Sequence, residues 1–232
     1  LKIYVGTSGW MYPWNKGRSL DWYVKESGLN SVELNSSFYR FPYKNQIKSW
    51  IDKGSAIKWS IKVHKSISHT HRLNKDAIDV FKKFLDTFKP MDNIISFYLI
   101  QLPPSFIKND ENIERLSTFI KEGGLGKRVA IEFRHKSWFN EDTISILKRF
   151  DTTFVSISSP IIEYYYTSND IMYLRMHGKT RWYYYEYKED ELKMVANKII
   201  ELNPKETYVY FNNDEWMLSN GLYLLNLLNK IP

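Results

Sequence analysis

Val129-Ala-Ile-Glu-Phe-Arg-His135 reads as a strand whose two faces differ in kind. Side chains alternate along a strand, so Val129, Ile131 and Phe133 share one face and Ala130, Glu132 and Arg134 share the other. A charged pair on one face of an otherwise apolar strand is costly to bury unless it is paired or used. A site is therefore expected where this strand ends.

Seven further strand-like runs surround it: Ile3–Gly6, Ser31–Asn35, Lys58–Val63, Ile95–Gln101, Thr153–Ile157, Met172–Met176 and Thr207–Asn212, with the fifth strand at Arg128–Phe133. Helical patterns lie between them at Arg18–Ser27, Lys44–Lys53, Lys75–Phe88, Asn112–Glu122, Glu141–Phe150, Glu189–Leu202 and Trp216–Asn229. The third is the clearest, with Ala77, Ile78, Phe81, Phe84, Leu85 and Phe88 at helical spacing. Pro160–Asp170 is too short and too Tyr-rich for a regular helix. This alternation predicts an α/β fold, a (β/α)8 TIM barrel formed as a single domain over residues 1–232, with the unit between strands six and seven degenerate. The rival is an open doubly wound sheet, but no Gly-x-Gly-x-x-Gly follows the first strand. Gly6-Thr-Ser-Gly9 lacks the Lys-Ser/Thr ending of a P-loop.

A chain of 232 residues can bury a substantial core, and its aromatic share of 16% can serve that core or a cleft. There is no cysteine, which excludes a disulfide framework and a thiolate metal site. No apolar run is long enough to span a membrane and no signal peptide opens the chain, so a cytoplasmic location without membrane contact is expected. The formal net charge of +7 favours anionic partners, although the Lys residues are scattered over helices.

Strand parity extends the opening observation around the barrel. Glu33 and Asn35 share a face in strand two, Ser60, Lys62 and His64 in strand three, and Arg175 and His177 in strand seven. Gln101 ends strand four in phase with Phe97 and Leu99. Ser156 and Ser158 oppose Val155 and Ile157 in strand six. Tyr208, Tyr210 and Asn212 share a face in strand eight, with Asp214 just beyond. All these polar groups are expected to point into the barrel at its C-terminal mouth, where barrel enzymes carry their chemistry. A self-satisfied ionic plug is the structural alternative.

Six stretches carry a family resemblance: Gly6-Thr-Ser-Gly-Trp-Met-Tyr-Pro-Trp14, Val32-Glu-Leu-Asn-Ser-Ser-Phe-Tyr-Arg40, Gln101-Leu-Pro-Pro104, Ala130-Ile-Glu-Phe-Arg-His-Lys-Ser-Trp138, Leu174-Arg-Met-His-Gly178 and Tyr210-Phe-Asn-Asn-Asp214. Together they resemble the DUF72 (YecE-like) family from the first strand to the last helix. The resemblance implies a TIM barrel loosely related to sugar-isomerase-like barrels, and implies no particular activity.

Within the barrel, Glu132 and Glu33 are the candidate acid/base pair, on strands far enough apart to admit a small ligand. His64 and His177 are candidates to assist proton transfer. Lys62, Arg134 and Arg175 form a candidate anion site. Asn35, Gln101, Asn212 and Asp214 are candidates for reading hydroxyls or amides, and Trp10, Trp14, Tyr39, Trp138 and Trp182 for walling the cleft. The leading reading is an enzyme of isomerase or hydrolase type acting on a small, hydroxyl-rich, anionic, sugar-phosphate-like molecule. No cofactor is required. A divalent metal on the carboxylates and His64, His135 or His177 is not favoured, because Lys62, Arg134 and Arg175 would repel it. No Ser/His/Asp nucleophile set is found. Two alternatives stand beside this reading. The first is a nucleic-acid-binding or processing protein, suggested by Thr180-Arg-Trp-Tyr-Tyr-Tyr-Glu-Tyr187. The second is a non-catalytic barrel that binds a metabolite or a partner.

Overall fold

The computed structural model describes residues 1–230. Eight parallel strands close into a barrel: β1 (Lys2–Thr7), β2 (Ser31–Leu34), β3 (Lys58–Lys62), β4 (Ile95–Gln101), β5 (Val129–Glu132), β6 (Thr153–Ser158), β8 (Ile171–Met176) and β9 (Glu206–Phe211). Closure comes from β5 pairing with β6 and β1 pairing with β9, all in parallel register. Helices α1 (Leu20–Glu26), α2 (Lys44–Gly54), α3 (Lys75–Phe88), α4 (Asp110–Gly123), α5 (Glu141–Arg149), α6 (Glu189–Leu202) and α7 (Met217–Asn229) complete the outer layer.

Local chemistry sets where these helices start. The side chains of Ser19, Asn74, Asn109 and Asn140 each accept from a backbone N–H in the first turn of α1, α3, α4 and α5. On α3, Ala77, Ile78, Phe81, Phe84 and Phe88 are buried against the barrel, as their spacing predicts. Gly6 has no room for a side chain: a Cβ there would lie 2.2 Å from the Ser31 carbonyl oxygen. This close approach of β1 to β2 brings Ser8 and Asn35 to the same part of the mouth.

No helix follows β6. The chain instead forms a two-residue antiparallel strand, β7 (Glu163–Tyr164), against β6. Tyr164 packs on Phe154 and Phe139, covering apolar surface that a helix would otherwise bury. Ser156 Oγ donates to the Tyr166 carbonyl and Ser158 Oγ to Glu163. These serines therefore serve the outer layer, not the interior. This corrects the expectation from strand parity: in β6 it is Val155 that joins the interior cluster. The reason is the missing helix, whose place is taken by a polar, Tyr-rich loop that offers carbonyls and a carboxylate to β6.

The barrel interior is layered. Tyr4, Phe97, Tyr173, Tyr208 and Tyr210 pack with Leu99, Ala130, Val155 and Ile171. Above this aromatic layer, towards the C-terminal ends of the strands, the interior becomes ionic.

Candidate functional site

Arg175, at the end of β8, is the centre of the ionic layer and is 1% exposed. One Nη donates to Glu132 Oε2, and Nη2 donates to Glu33 Oε1 at 2.6 Å. Both carboxylates are fully buried. Arg134 Nε lies 2.7 Å from Glu132 Oε1. Two carboxylates are thus matched by two guanidiniums, which is the arrangement that makes burial of such charges tolerable.

The surrounding groups complete the network. Tyr173 donates to Glu33 Oε2 at 2.7 Å, so the 2.6 Å contact between Tyr173 and Ser60 has the serine as donor. Asn35 Nδ2 donates to Glu33 Oε1 at 3.1 Å. Ser8 Oγ donates to Asn212 Oδ1 at 2.7 Å, which turns Asn212 Nδ2 towards His177 Nδ1 at 3.3 Å. His177 then carries its proton on Nε2 and donates to Glu132 Oε1 at 3.0 Å. Burial, helped by Arg134 and Arg175, pulls the His177 pKa down to about 3, so the ring is neutral. Glu132 lies well below the usual carboxylate range: Arg134, Arg175 and His177 outweigh the opposing effect of burial.

Lys62 differs from the other cations. Its Nζ donates to Gln101 Oε1 at 2.8 Å and sits 4.4 Å from the centre of the Phe38 ring. Glu33 pairs with Arg175 and not with Lys62. Burial, then repulsion from Arg175, lowers the Lys62 pKa to about 7. A cleft of about 390 Å³ opens over it, lined by Ser8, Tyr12, Asn35, Tyr39, Lys62, Tyr183 and Asn212.

The loop after His177 roofs one side of this cleft. Gly178 has φ 103°, and a Cβ there would lie 2.4 Å from the Arg181 carbonyl, so the turn requires glycine. Tyr183 N–H donates back to the His177 carbonyl at 2.8 Å. The Trp182 ring lies 4.5 Å from the Arg134 guanidinium and 5.4 Å from the His177 ring.

The structure thus brings together Glu33, Glu132, Arg134, Arg175 and His177 as a floor, with Lys62, Asn35, Asn212 and Tyr39 around the cleft. Gln101 positions Lys62. Other candidates are elsewhere. Trp138 does not wall the mouth: it is fully buried and stacks on Phe133 and Phe106, because it follows the outward face of β5. His64 does not reach Glu132: its ring contacts Ser66 and the Tyr39 carbonyl, against Phe41. Both Nη groups of Arg175 are engaged by the carboxylates of Glu132 and Glu33, while its buried Nε–H has no partner. Trp10 packs edge-on against Trp50 and Trp59 and lines a neighbouring depression. Asp214 adjoins the loop base, where its carbonyl accepts from Trp14. Sequence reasoning missed Tyr12 and Tyr183 as cleft residues; both lie in loops, where strand parity has no reach. Ser8 was legible as the next inward position after Gly6.

Among the described residues, no three His, Asp or Glu side chains gather as a metal site. The carboxylate oxygens of Glu33 and Glu132 already face Arg175, Arg134, Tyr173, Asn35 and His177. Among the described residues, no helix is long and apolar enough to cross a membrane.

Fold and site together define a (β/α)8 barrel with a charge-balanced ionic floor beneath a small cleft at its C-terminal mouth. The chain belongs to the family described as "Protein of unknown function DUF72", whose profile matches residues 4–230. A DUF72 family protein from Thermotoga maritima is 28% identical, with a TM-score of 0.88 over 99% of this chain and 100% of that one. One from Enterococcus faecalis is 22% identical, with a TM-score of 0.83 over 98% of each chain. D-psicose 3-epimerase from Clostridium cellulolyticum, solved with D-tagatose, shares the barrel at 10% identity and a TM-score of 0.61, over 100% of this chain and 99% of that one. Among curated proteins, none matches this chain.

Proposed function

We propose that the cleft binds a small, hydroxyl-rich anion of the sugar-phosphate type, and that Lys62 is both its cationic anchor and the acid/base group. The observation that carries this reading is that Lys62 faces the cleft while every other charge beneath it is paired. With a pKa pulled down to about 7, Lys62 is divided between amine and ammonium near neutral pH. Both proton acceptor and proton donor are then present, as general acid/base chemistry requires.

This reading changes the roles first expected. Glu132 and Glu33 are held by cations and act as positioning residues for Arg175, His177 and Asn35, while Lys62 takes the proton-transfer role. Ser8, Asn35 and Asn212 supply polar contacts for ligand hydroxyls, and Tyr12, Tyr39 and Tyr183 supply walls for a sugar ring. The shared barrel of a protein described as a sugar epimerase agrees with a sugar-like ligand, at the level of fold.

The test is a set of sugar phosphates and their unphosphorylated sugars, measured by calorimetric binding and by turnover. Phosphorylated members should bind, and Lys62→Met should lose them while keeping its melting temperature. Equal binding by Lys62→Met would refute the assignment.

A further inference from the structure

The net charge of the protein is not spread evenly. Residues 1–76, which form the first three strand–helix units up to the start of α3, hold 13 Lys and Arg against 5 Asp and Glu. The remaining residues hold 20 against 21. The surplus is therefore a property of one sector of the barrel.

Within that sector six free cations lie at the mouth, while Lys48 and Lys53 lie further along α2 and Lys58 at the opposite end of β3. Lys16 and Arg18 lie in the loop after β1, Arg40 in the loop after β2, Lys44 at the start of α2, Lys65 after β3 and Lys75 at the start of α3. All six are exposed, and none is in an ion pair among the described residues. Of the acids beside them, Asp21 is paired with Lys25, and Asp76 lies 3.9 Å from the His71 ring. On the opposite sector Lys108, Lys179, Lys188 and Lys193 are each paired with carboxylates, and of the cations in the loops after β5 and β8 only Lys136 and Arg181 are exposed and outside any ion pair among the described residues. Because β1, β2 and β3 are neighbours in the barrel, their loops form one continuous basic edge.

Aromatic rings are interleaved with these charges. Tyr39 and Tyr43 are 70% and 64% exposed. Arg40, between them in sequence, lies 5.4 Å from the centre of the Tyr43 ring. Tyr39 also lines the Lys62 cleft, so the row of rings runs from the cleft onto the basic edge. Charge alone would suit any polyanion. Exposed rings set among unpaired cations suit a chain that offers phosphates and flat bases together.

We infer that the loops after β1, β2 and β3 form a binding edge for single-stranded nucleic acid, with Tyr39 and Tyr43 as stacking platforms and the six cations as phosphate contacts. The affinity is sequence-tolerant, since neither element reads base edges. Tyr39 is shared with the cleft, but Arg40 and Lys65 do not line it, so the variant of these two cations lets the two readings fail separately.

The experiment is fluorescence anisotropy with a labelled single-stranded oligonucleotide across a salt series, with polyglutamate and anionic lipid vesicles as competitors. Three or more phosphate contacts give a log–log salt slope of about −2 or steeper. The double variant Arg40→Glu/Lys65→Glu should weaken binding by about tenfold or more and flatten the slope. Tyr39→Ala/Tyr43→Ala should weaken it by about fivefold or more with the slope kept. Lys193→Glu, in the opposite sector, should change neither, and the Arg40/Lys65 variant should keep its sugar-phosphate affinity. Absence of oligonucleotide binding at low salt would overturn the inference. So would unchanged binding by the tyrosine variant, or equal competition from polyglutamate or vesicles, either of which would make the edge a general polyanion surface.

Discussion

Replacing Glu132 with Gln removes one charge from the buried layer and keeps its shape. In the native protein Glu132 faces Arg175, Arg134 and His177 at once. The variant leaves the guanidiniums of Arg175 and Arg134 with one carboxylate, Glu33, which already serves Arg175, Tyr173 and Asn35. Removing one member of a buried ion pair costs about 3–5 kcal/mol, mostly because the remaining charge stays buried and uncompensated. For a chain of this size each kcal/mol moves the melting temperature by about 2–4 °C, so a fall of about 6–20 °C is expected. Thermal and urea unfolding at neutral pH measure it. The same variant should retain part of its sugar-phosphate affinity, because Lys62 is held by Gln101 and not by Glu132. A change in stability below about 1 kcal/mol would refute the view that this carboxylate holds the floor together.

Two other outcomes follow from the same geometry. The neutral His177 ring, with its pKa pulled to about 3, resists protonation while the unfolded chain takes a proton near pH 6.5. Stability should therefore fall as pH drops below 6.5, by about 1.4 kcal/mol per unit towards pH 3. Glu132 adds a loss of the same sign below its ordinary value of 4.5. A His177→Gln variant should flatten the upper part of that profile, and an unchanged profile would sink the argument. Gly178→Ala should cost about 2 kcal/mol or more, since alanine meets both a positive φ and the Arg181 carbonyl. A red-shifted tryptophan emission should report release of Trp182 from His177 and Arg134, and native emission with native stability would contradict it.

Much of this molecule is legible in its sequence. Where apolar periodicity is strong, as in α3 and α6, the helix bounds read from the pattern coincide with those of the structure. That Glu33, Lys62, Glu132 and Arg175 each stand on the polar face of their strand follows from the two-residue period. Pairing within the layer does not. Which carboxylate meets which cation depends on the register of strands far apart in sequence, and β2 meets β8 across the barrel only after closure. Ser156 and Ser158 were misplaced because parity assigns two faces without saying which is inside; the missing helix after β6 supplied the polar partners outside. Trp138 shares its strand's motif with Glu132 but leaves on the opposite face. The balance of charges is the largest lesson. Four groups that read as a reactive ring neutralise one another, and the one left over, Lys62, is noticed only once their partners are known.

The central claim is that Lys62 is an anchor and proton carrier poised near neutrality over the cleft. It is tested most directly by an NMR titration of its side chain, with Lys62→Arg to assign the signal. The expected midpoint is about 7 in the free protein, moving upwards when a sugar phosphate occupies the cleft. Sugar-phosphate affinity should fall about fivefold from pH 7 to pH 8, and about tenfold per unit beyond, as the ammonium is lost. A midpoint at the ordinary value of 10.5, unmoved by sugar phosphates, would contradict the account.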